Sequence, residues 1–395
     1  QNVFCAVDVL ERLPGAEGFR LVEVKSSTRL KDVHVVDAAI QTLAVRGAGL
    51  PVPRVELMHL NKDHRHPDQG DLFVRDDVTE GVEALLPALP ARVDQLLTVL
   101  AGPEPEVEIG PHCYKEIACP FLSRCWPVGD DSIGTLAGVG EAKALEYIRR
   151  GITSIRDISE EEGLSDLARR QLQAEREDST FVSPELAPAL APLTGTVGFL
   201  DFETVARALP VWPGTGPWQG IPVQFSYHER REDGSHHHAE WLAEGPEDPR
   251  RAIAETLAEA CRNARNILTY TGFEKRCLRT LMDGVPELVP ELESIEGRLV
   301  DLHPIIRNHV YHPAFHGSFS IKRVLPALVP ELGYDDLAID DGMVASARIG
   351  RMMFHRDSFD EADYREERRH LLAYCQRDTW AMVKLLEALQ ALAHG

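Results

Sequence analysis

Phe199-Leu-Asp-Phe-Glu-Thr204 is the stretch that decides the fold of the C-terminal half of this chain. Its apolar lead-in predicts a buried strand. Asp201 and Glu203 stand two residues apart, so both carboxylates lie on the same face of that strand. Two like charges this close repel each other unless a cation lies between them. Because divalent metal ions are the cations that oxygen ligands usually hold, the pair predicts a metal site.

Two further acidic motifs follow along the chain. Ile267-Leu-Thr-Tyr-Thr-Gly-Phe-Glu274 is typical of a buried strand, a turn and an acid at the start of a helix, where the helix dipole favours a carboxylate. Tyr374-Cys-Gln-Arg-Asp378 lies in a predicted helix, with Tyr374 and Asp378 one turn apart on the same face. Carboxylates that converge from an early strand and a late helix are what two-metal phosphodiester cleavage needs.

In this order the motifs resemble the DnaQ-like 3′–5′ exonuclease superfamily, which has an RNase H-like fold, and its subclass with a tyrosine in the last motif. The resemblance implies that Asp201, Glu203 and Asp378 are ligands of Mg²⁺ or Mn²⁺. It also implies that Tyr374 orients the attacking water. The remaining acid maps to Glu274, where the family usually has an aspartate, so this position departs from the family pattern.

Other residues near these motifs allow two interpretations each. Asp301 competes for the place of Glu274, although its position after a predicted strand favours a structural role. Lys322 either holds a phosphate of a nucleic acid or lies on the surface of a helix. Trp212 and Trp218, in a Gly/Pro-rich loop, either stack on bases or pack beneath the loop. His236-His237-His238 is typical of a solvated turn in a hairpin.

A separate acidic motif, distinct from the three above, lies near the N-terminus. Asp8 ends a strand-like run, and Leu21-Val-Glu-Val-Lys25 forms the next predicted strand. The hairpin collects two carboxylates, which can bind metal, and the Lys25 ammonium, which can position or activate water and balance charge. Gln41, on the following helix, can face the same site.

This N-terminal motif resembles the PD-(D/E)XK nucleases, especially the RecB-like branch that includes CRISPR adaptation nucleases. That branch often has a Gln-x-x-x-Tyr helix motif, which is half present because Val45 stands at the aromatic position. The resemblance implies catalytic roles for Asp8, Glu23, Lys25 and Gln41, with Asp8 and Glu23 as metal ligands. Because the chain opens within a strand-like run, we expect the start of this domain to be truncated.

Three evenly spaced cysteines, Cys113, Cys119 and Cys125, follow. Zinc sites and iron–sulfur clusters both need about four thiolate or imidazole ligands. RecB-like nucleases of this branch carry a 4Fe–4S cluster whose first cysteine lies far upstream of such a trio, so the resemblance implies an iron–sulfur cluster here. The upstream partner is not evident, since Cys5 is a weak substitute. Zinc, with His112 as a ligand, and the absence of any metal are the alternatives.

Leu136-Ala-Gly-Val-Gly-Glu-Ala-Lys-Ala144 resembles a helix-hairpin-helix motif. Gly138 and Gly140 would let backbone N–H groups approach a DNA phosphate without reading sequence. The alternative is a hairpin that only packs.

The bulk composition narrows the function classes. A formal net charge of −21 and a pI of about 5.2 argue against a passive basic coat on nucleic acid. They are compatible with a nuclease, whose metal ligands are acids. The sequence shows no apolar stretch of about 20 residues that would span a membrane and no visible signal peptide. Its seven cysteines are not spaced like a secreted disulfide framework, so we expect a cytoplasmic protein without membrane contact.

The whole order resembles a bacterial family of uncharacterised function that fuses these parts. We expect an α/β protein with a RecB-like PD-(D/E)XK domain carrying the cysteines (1–128), a helix-hairpin-helix-like and helical linker (129–192) and an RNase H-like exonuclease domain (193–395). The expected activity is metal-dependent removal of nucleotides from 3′ ends of single-stranded DNA, or of RNA, with a second RecB-like site. The alternative is a non-catalytic nucleic-acid-binding scaffold with degenerate sites. Lys25 and Tyr374 favour the enzyme, because folding requires neither.

Overall fold

The computed structural model describes residues 3–15, 17–114, 119–126, 129–159 and 163–394. The chain forms two compact units. The first is built mainly from Gln1–Glu108 and Ala206–Gln219, and the second mainly from Ala118–Val205 and Gly220–Gly395. The loop 206–219 therefore leaves a strand of the second unit and groups with the first. The three-domain division expected from the sequence stays a prediction.

A four-stranded mixed sheet forms the centre of the first unit. Its strands, in the spatial order β1–β2–β3–β4, are Val9–Arg12, Phe19–Lys25, Arg54–Leu60 and Phe73–Asp77. The pair β2 and β3 is parallel, and both outer pairs are antiparallel. Helix α1 (Asp32–Gly47) makes the crossover that a parallel pair requires. Its Ala38 and Ala39 pack with Leu21 of β2 and Leu57 of β3 in one apolar core.

Two further helices complete the described part of the first unit, α2 (Thr79–Leu85) and α3 (Leu89–Ala101). Within the described ranges, no single helix is both long enough and apolar enough to cross a membrane. The consecutive helices α2 and α3, bent by 54° at their junction, meet these requirements of length and composition only when taken together.

A five-stranded mixed sheet forms the centre of the second unit. In chain order its strands are β6 (Val197–Ala206), β7 (Gly220–Arg230), β8 (His236–Leu242), β9 (Asn266–Thr269) and β10 (Leu299–Asp301). The spatial order is β10–β9–β6–β7–β8, with β9 parallel to both of its neighbours and β7 antiparallel to β8. The chain thus places β7 and β8 on one side of β6 and then crosses to place β9 and β10 on the other. Ligands of open α/β sheets bind at such a switch point, outside the carboxyl ends of the strands.

The remaining elements surround this sheet or precede it. They are α4 (Leu122–Cys125), α5 (Glu141–Arg149), α6 (Asp166–Glu177), α7 (Leu186–Leu190), α8 (Arg250–Ala260), α9 (Phe273–Gly284), α10 (Val289–Glu296), α11 (Leu302–His309), α12 (Ile321–Leu328), α13 (Gly342–Phe354), α14 (Glu361–Leu392) and the two-residue strands β5 (Phe181–Val182) and β11 (Val310–Tyr311), which pair with each other. Aspartates cap several helices. Asp341 and Asp360 accept backbone N–H groups at the starts of α13 and α14, which explains where these helices begin.

The two faces of the second sheet differ in polarity because side chains alternate along each strand. Phe202 of β6 and Phe225 of β7 pack with Leu257 and Leu278 of α8 and α9 in an apolar core. The opposite face carries Asp201, Glu203 and polar residues of β7. Helix α14 covers this face, and its contacts with β7 include hydrogen bonds from Gln224 Nε2 to the Leu371 carbonyl (2.9 Å) and between the Ser226 and Thr379 hydroxyls (2.7 Å).

The histidine run 236–238 is not a turn, as the sequence suggested, but the start of strand β8. Its pairing partner is β7, and His238 lies opposite His228. The turn of this hairpin lies just before the run, where Gly234 has a φ of +80°.

The segment between residues 129 and 177 has its own small core, formed by Ile133, Leu136, Tyr147 and Ile155 among others. A close backbone approach is among the contacts that join it to the rest of the second unit. A Cβ built on Gly317, which has a φ of +75°, would lie 1.8 Å from the Thr135 carbonyl oxygen. This position therefore requires glycine for two reasons, the left-handed backbone and the lack of space.

We expect Gly317→Ala to lower the free energy of unfolding by about 3 kcal/mol or more, because backbone strain and a backbone clash add. The matched control is Gly234→Ala, where φ is also left-handed but nothing lies within 4 Å of the added Cβ. The control should cost only the strain, about 1–2 kcal/mol. Urea denaturation of both variants measures the difference. Equal losses would contradict the tight packing of the 129–177 segment against Gly317.

Candidate metal centre

Strand β6 and helix α14 bring three carboxylates together. Asp201 and Glu203 project from the same face of β6, and Asp378 projects from α14, which lies across that face. Their ligand oxygens all lie within 4.8 Å of one another. Across the described ranges, no other group of three or more His, Cys, Asp or Glu side chains reaches this spacing. The three residues predicted as metal ligands therefore meet.

Burial and mutual repulsion make it costly for these acids to be charged. Burial raises the pKa of Asp201 well above its ordinary range, and the Asp378 charge adds to this effect. Burial and the charges of Asp201 and Asp378 raise the pKa of Glu203 to about 9. Burial raises the pKa of Asp378 to about 6, although a hydrogen bond from Tyr334 opposes the rise. At neutral pH the site must therefore hold protons or a cation.

Glu274 lies in the first turn of α9, and its side chain is only 2% exposed. Its Oε2 accepts no hydrogen bond from any described residue. Burial, followed by the charge of Asp201, raises its pKa well above the ordinary range. A buried carboxylate oxygen without a partner costs free energy unless a cation binds it. We call Asp201, Glu203, Asp378 and Glu274 the acidic centre. Its all-oxygen donor set and this orphan oxygen fit Mg²⁺ or Mn²⁺.

Tyr374 and Lys322 both lie at the acidic centre. Tyr374 is buried one helical turn before Asp378, as predicted. The Lys322 ammonium lies 5.4 Å from the centre of the Tyr374 ring and donates to the Asp340 carbonyl oxygen. Its positive charge partly opposes the rise in the pKa values of Glu203 and Asp378. Lys322 is therefore placed to act on the site, and its contact with a phosphate stays a prediction.

Two side chains at the acidic centre were missed in the sequence. The Tyr334 hydroxyl donates to Asp378 Oδ1 at 2.6 Å, and Lys322 lies 5.7 Å from its ring centre. Cys375 Sγ lies 3.5 Å from Asp201 Oδ2, within range of a weak S–H donor. Tyr334 lies in the segment between α12 and α13, with no spacing that relates it to the acids. Cys375 directly follows Tyr374 in the last acidic motif, and this adjacency could have indicated that its thiol lies near the acids.

Asp301 has the structural role that its position favoured. Its Oδ1 accepts the backbone N–H groups of Thr271 and His303, each at 2.9 Å, and so it caps α11. The same carboxylate thus fixes the turn that precedes Glu274. Through this turn Asp301 helps to hold Glu274 in place.

The N-terminal motif also converges. Glu23 is buried on β2 and accepts hydrogen bonds from Lys25 Nζ (2.5 Å) and Gln41 Nε2 (2.7 Å). Asp8 lies just before β1, is exposed, and accepts the Val24 N–H at 2.8 Å. If the register of β1 and β2 continues by one residue, Asp8 lies opposite Glu23. We call Asp8, Glu23, Lys25 and Gln41 the N-terminal site.

Asp37 is a further member of this neighbourhood that sequence reasoning missed. Its Oδ2 accepts a hydrogen bond from Lys25 Nζ at 2.6 Å. Asp37 precedes Gln41 by four residues on α1, so the shared helix face was a usable signal. Burial, the largest single influence, lowers the pKa of Lys25, but the hydrogen bonds that its ammonium donates to Asp37 and Glu23 outweigh this effect and raise the pKa. Gln41 Oε1 is buried and has no hydrogen-bond partner among the described residues.

The cysteine trio is not gathered at the spacing of zinc ligands in the described structure. Cys113 is buried, Cys119 half-buried and Cys125 exposed. Thiolates around one zinc ion lie about 3.8 Å apart, given Zn–S bonds of about 2.3 Å. The three sulfur atoms are not within 4.8 Å of one another. Cys5 packs against the apolar core of the first unit. The iron–sulfur cluster, with zinc as its alternative, stays a prediction.

Gly138 and Gly140 differ in their surroundings. Gly138 has a φ of +71°, and a Cβ built there would lie 3.3 Å from Ser165 Oγ, so it has a packing role. Gly140 directly precedes α5, and nothing lies within 4 Å of a Cβ built on it. Its backbone is open to a ligand, and contact with DNA stays a prediction.

Comparison with known proteins gives limited matches. Residues 198–320, which include Asp201, Glu203, Glu274 and Lys322, match the profile of a family described as a domain of unknown function, DUF2779. No curated protein sequence matches the chain. Among solved structures, the family B DNA polymerase from the hyperthermophilic archaeon Pyrobaculum calidifontis is similar at 15% identity with a TM-score of 0.32. The similarity covers 49% of this chain and 24% of the polymerase.

Mn²⁺ or Mg²⁺ should raise the melting temperature, and more strongly at pH 8 than at pH 6. The raised pKa values mean that the folded protein without metal binds more protons than the unfolded chain, so its stability falls as the pH rises from about 4 toward 9. Metal binding must displace those protons, which is easier at high pH. At a metal concentration about 100-fold above Kd, the gain is about 2.7 kcal/mol. Thermal melts with and without metal measure it.

The control for this experiment is Glu366→Gln, which removes an exposed carboxylate from the same helix as Asp378. Its metal-induced shift should equal that of the wild type, whereas Asp378→Asn should lose most of the shift. An equal shift in Asp378→Asn would place the bound metal elsewhere.

Proposed function

We propose that this protein is a metal-dependent nuclease whose acidic centre removes nucleotides from 3′ ends of single-stranded nucleic acid. One observation carries the proposal: three carboxylates from β6 and α14 meet within 4.8 Å, on the covered face of a sheet. The orphan oxygen of Glu274 supports it, because a protein with no cation to bind gains nothing from this buried repulsion. A mixed sheet with the acid pair on its central strand supports the RNase H-like fold.

Each residue of the centre has a chemical task in this proposal. Two Mg²⁺ or Mn²⁺ ions, when bound, would supply activation of water and stabilisation of the leaving oxygen. Asp201, Glu203 and Asp378 would hold them, with Glu274 as the fourth acid. The Tyr334 hydroxyl fixes Asp378 by donating to one of its oxygens, in the way that outer hydrogen bonds orient metal ligands.

Tyr374 and Lys322 act on the substrate side of the centre. By resemblance, Tyr374 orients the attacking water. The Lys322 ammonium, held by the Asp340 carbonyl above the Tyr374 ring, offsets part of the negative charge of the acids and of an entering phosphate. The preference for a 3′ end rests on the resemblance to DnaQ-like exonucleases.

The N-terminal site is proposed as a second hydrolytic site. The observation that favours it is Glu23, a buried carboxylate held by the two side chains that the RecB-like pattern assigns to it, Lys25 and Gln41. A non-catalytic scaffold is the competing function. The buried repulsion at the acidic centre argues against it, since nucleic-acid binding alone does not need three converging carboxylates and a fourth buried acid beside them.

Asp201→Asn and Asp378→Asn should each lower the rate of nucleotide removal about a thousandfold, because each removes a metal ligand worth several kcal/mol in the transition state. The assay follows a 5′-labelled single-stranded DNA with Mn²⁺, and a parallel RNA strand, as a ladder of shortened products. Glu366→Gln is the matched control and should cleave like the wild type. A wild type that leaves both strands intact over a range of metals would support the scaffold instead.

The double variant Asp201→Asn/Asp378→Asn isolates the N-terminal site. Metal-dependent cleavage that remains should fall at least about tenfold when Glu23→Gln is added, because the buried ligand is lost while its shape is kept. Glu80→Gln, an exposed acid of the same unit, is the control. If residual cleavage is unchanged by Glu23→Gln, the N-terminal site is not its source.

A further inference from the structure

The loop 206–219 carries two tryptophans in opposite environments. Trp212 is 4% exposed and packs beneath the loop, whereas Trp218 is 47% exposed. The two interpretations that the sequence left open therefore divide between the two residues. Trp218 is not explained as part of a core.

The exposure of Trp218 does not come from a loosely held loop. The Thr215 hydroxyl donates to the Trp212 carbonyl at 2.7 Å. Backbone hydrogen bonds join His66 and Thr215 (2.9 Å) and His66 and Gly214 (2.8 Å), which ties the loop to a second segment of the first unit. The backbone N–H of Trp218 donates to the Arg207 carbonyl at 2.7 Å and closes the loop at its base.

Trp218 also has an unfavourable backbone. Its φ of +57° lies in the left-handed region, which costs a residue with a Cβ about 1–2 kcal/mol. A bulky residue there is an outlier, and glycine would adopt the same conformation without strain. The chain thus keeps a large, half-exposed aromatic side chain on a strained backbone. Strain that folding does not require is a reason to look for function.

The ring is held in one orientation beside the N-terminal site. The Trp218 indole N–H donates to the Ser26 carbonyl at 2.5 Å, and Ser26 directly follows Lys25. The polar edge of the indole is therefore used within the protein, which leaves its apolar ring for a ligand. Arg65 lies at the base of the loop, since a Cβ built on Gly216 would lie 2.8 Å from its guanidinium.

We propose that Trp218 is a stacking platform for an unpaired base of a single-stranded nucleic acid that enters the N-terminal site. A flat, rigid ring with a fixed edge and a half-exposed surface suits the face of a base, and such stacking is tolerant of sequence. A base within a duplex has both faces covered by its neighbours and is not a ligand for this ring. The identity of the ligand rests on the proposed nuclease function of the N-terminal site.

Trp218→Gly tests the platform, because it removes the ring and also relieves the strain. We expect an unchanged or raised melting temperature together with about tenfold weaker binding of a fluorescein-labelled single-stranded DNA. Binding is measured by fluorescence anisotropy in EDTA, where no metal-dependent cleavage occurs. Trp218→Phe keeps a ring and should weaken binding only about threefold. Leu209→Ala, which alters an apolar side chain of the same loop that is 52% exposed, should bind like the wild type.

An abasic strand of equal length separates stacking from a general effect on structure. The wild type and Trp218→Gly should bind it equally, because it offers phosphates but no bases. The platform is overturned if Trp218→Gly binds the normal strand as tightly as the wild type, if it loses equal affinity for both strands, or if the wild type binds neither. Base-dependent binding without metal-dependent cleavage would overturn the nuclease proposal and leave the platform standing.

Discussion

The repulsion among buried carboxylates is the constraint on which the second unit depends. Two unit charges 4 Å apart repel by about 4 kcal/mol at an effective dielectric constant of about 20, and a whole domain is stable by only about 5–15 kcal/mol. Asp201, Glu203 and Asp378 cannot all be charged at this spacing without a cation. The fold must therefore hold β6 and α14 together against a force that separates them, and it must do so on the polar face of its sheet.

The polar residues of β7 supply part of that hold. Gln224 donates to a carbonyl of α14, and Ser226 and His228 both bond the hydroxyl of Thr379, the neighbour of Asp378. His228 can do this without adding charge. Burial, and then the charges of neighbouring histidines, lower its pKa to about 3, so its ring is neutral and can pair with a hydroxyl. The polar face of the sheet therefore holds α14 by hydrogen bonds. An apolar face would hold a helix by packing.

Sequence reasoning succeeds where a local period places the side chain. The period of two in β6 puts Asp201 and Glu203 on one face, and the helical period puts Tyr374 and Asp378 on another. Sequence reasoning fails where a contact between residues far apart in the chain decides which side chains lie at the site. Tyr334 reaches Asp378 from an irregular segment, and no local pattern in such a segment reports a partner that lies 44 residues away. The histidine run of β8 looks like a polar turn until its long-range pairing with β7 is known.

The two candidate sites differ in what a metal ion must displace. At the acidic centre the pKa values of the acids stay raised despite the positive charges of Lys322, Arg377 and Arg276, so a metal would displace protons. At the N-terminal site Lys25 already bonds both Glu23 and Asp37, so a metal competes with an ammonium that is already in place. Proton displacement becomes easier as the pH rises, whereas displacement of the ammonium does not until Lys25 itself titrates. Metal binding at the acidic centre is therefore linked to proton release, whereas metal binding at the N-terminal site is linked to release of the Lys25 ammonium from its two carboxylate partners.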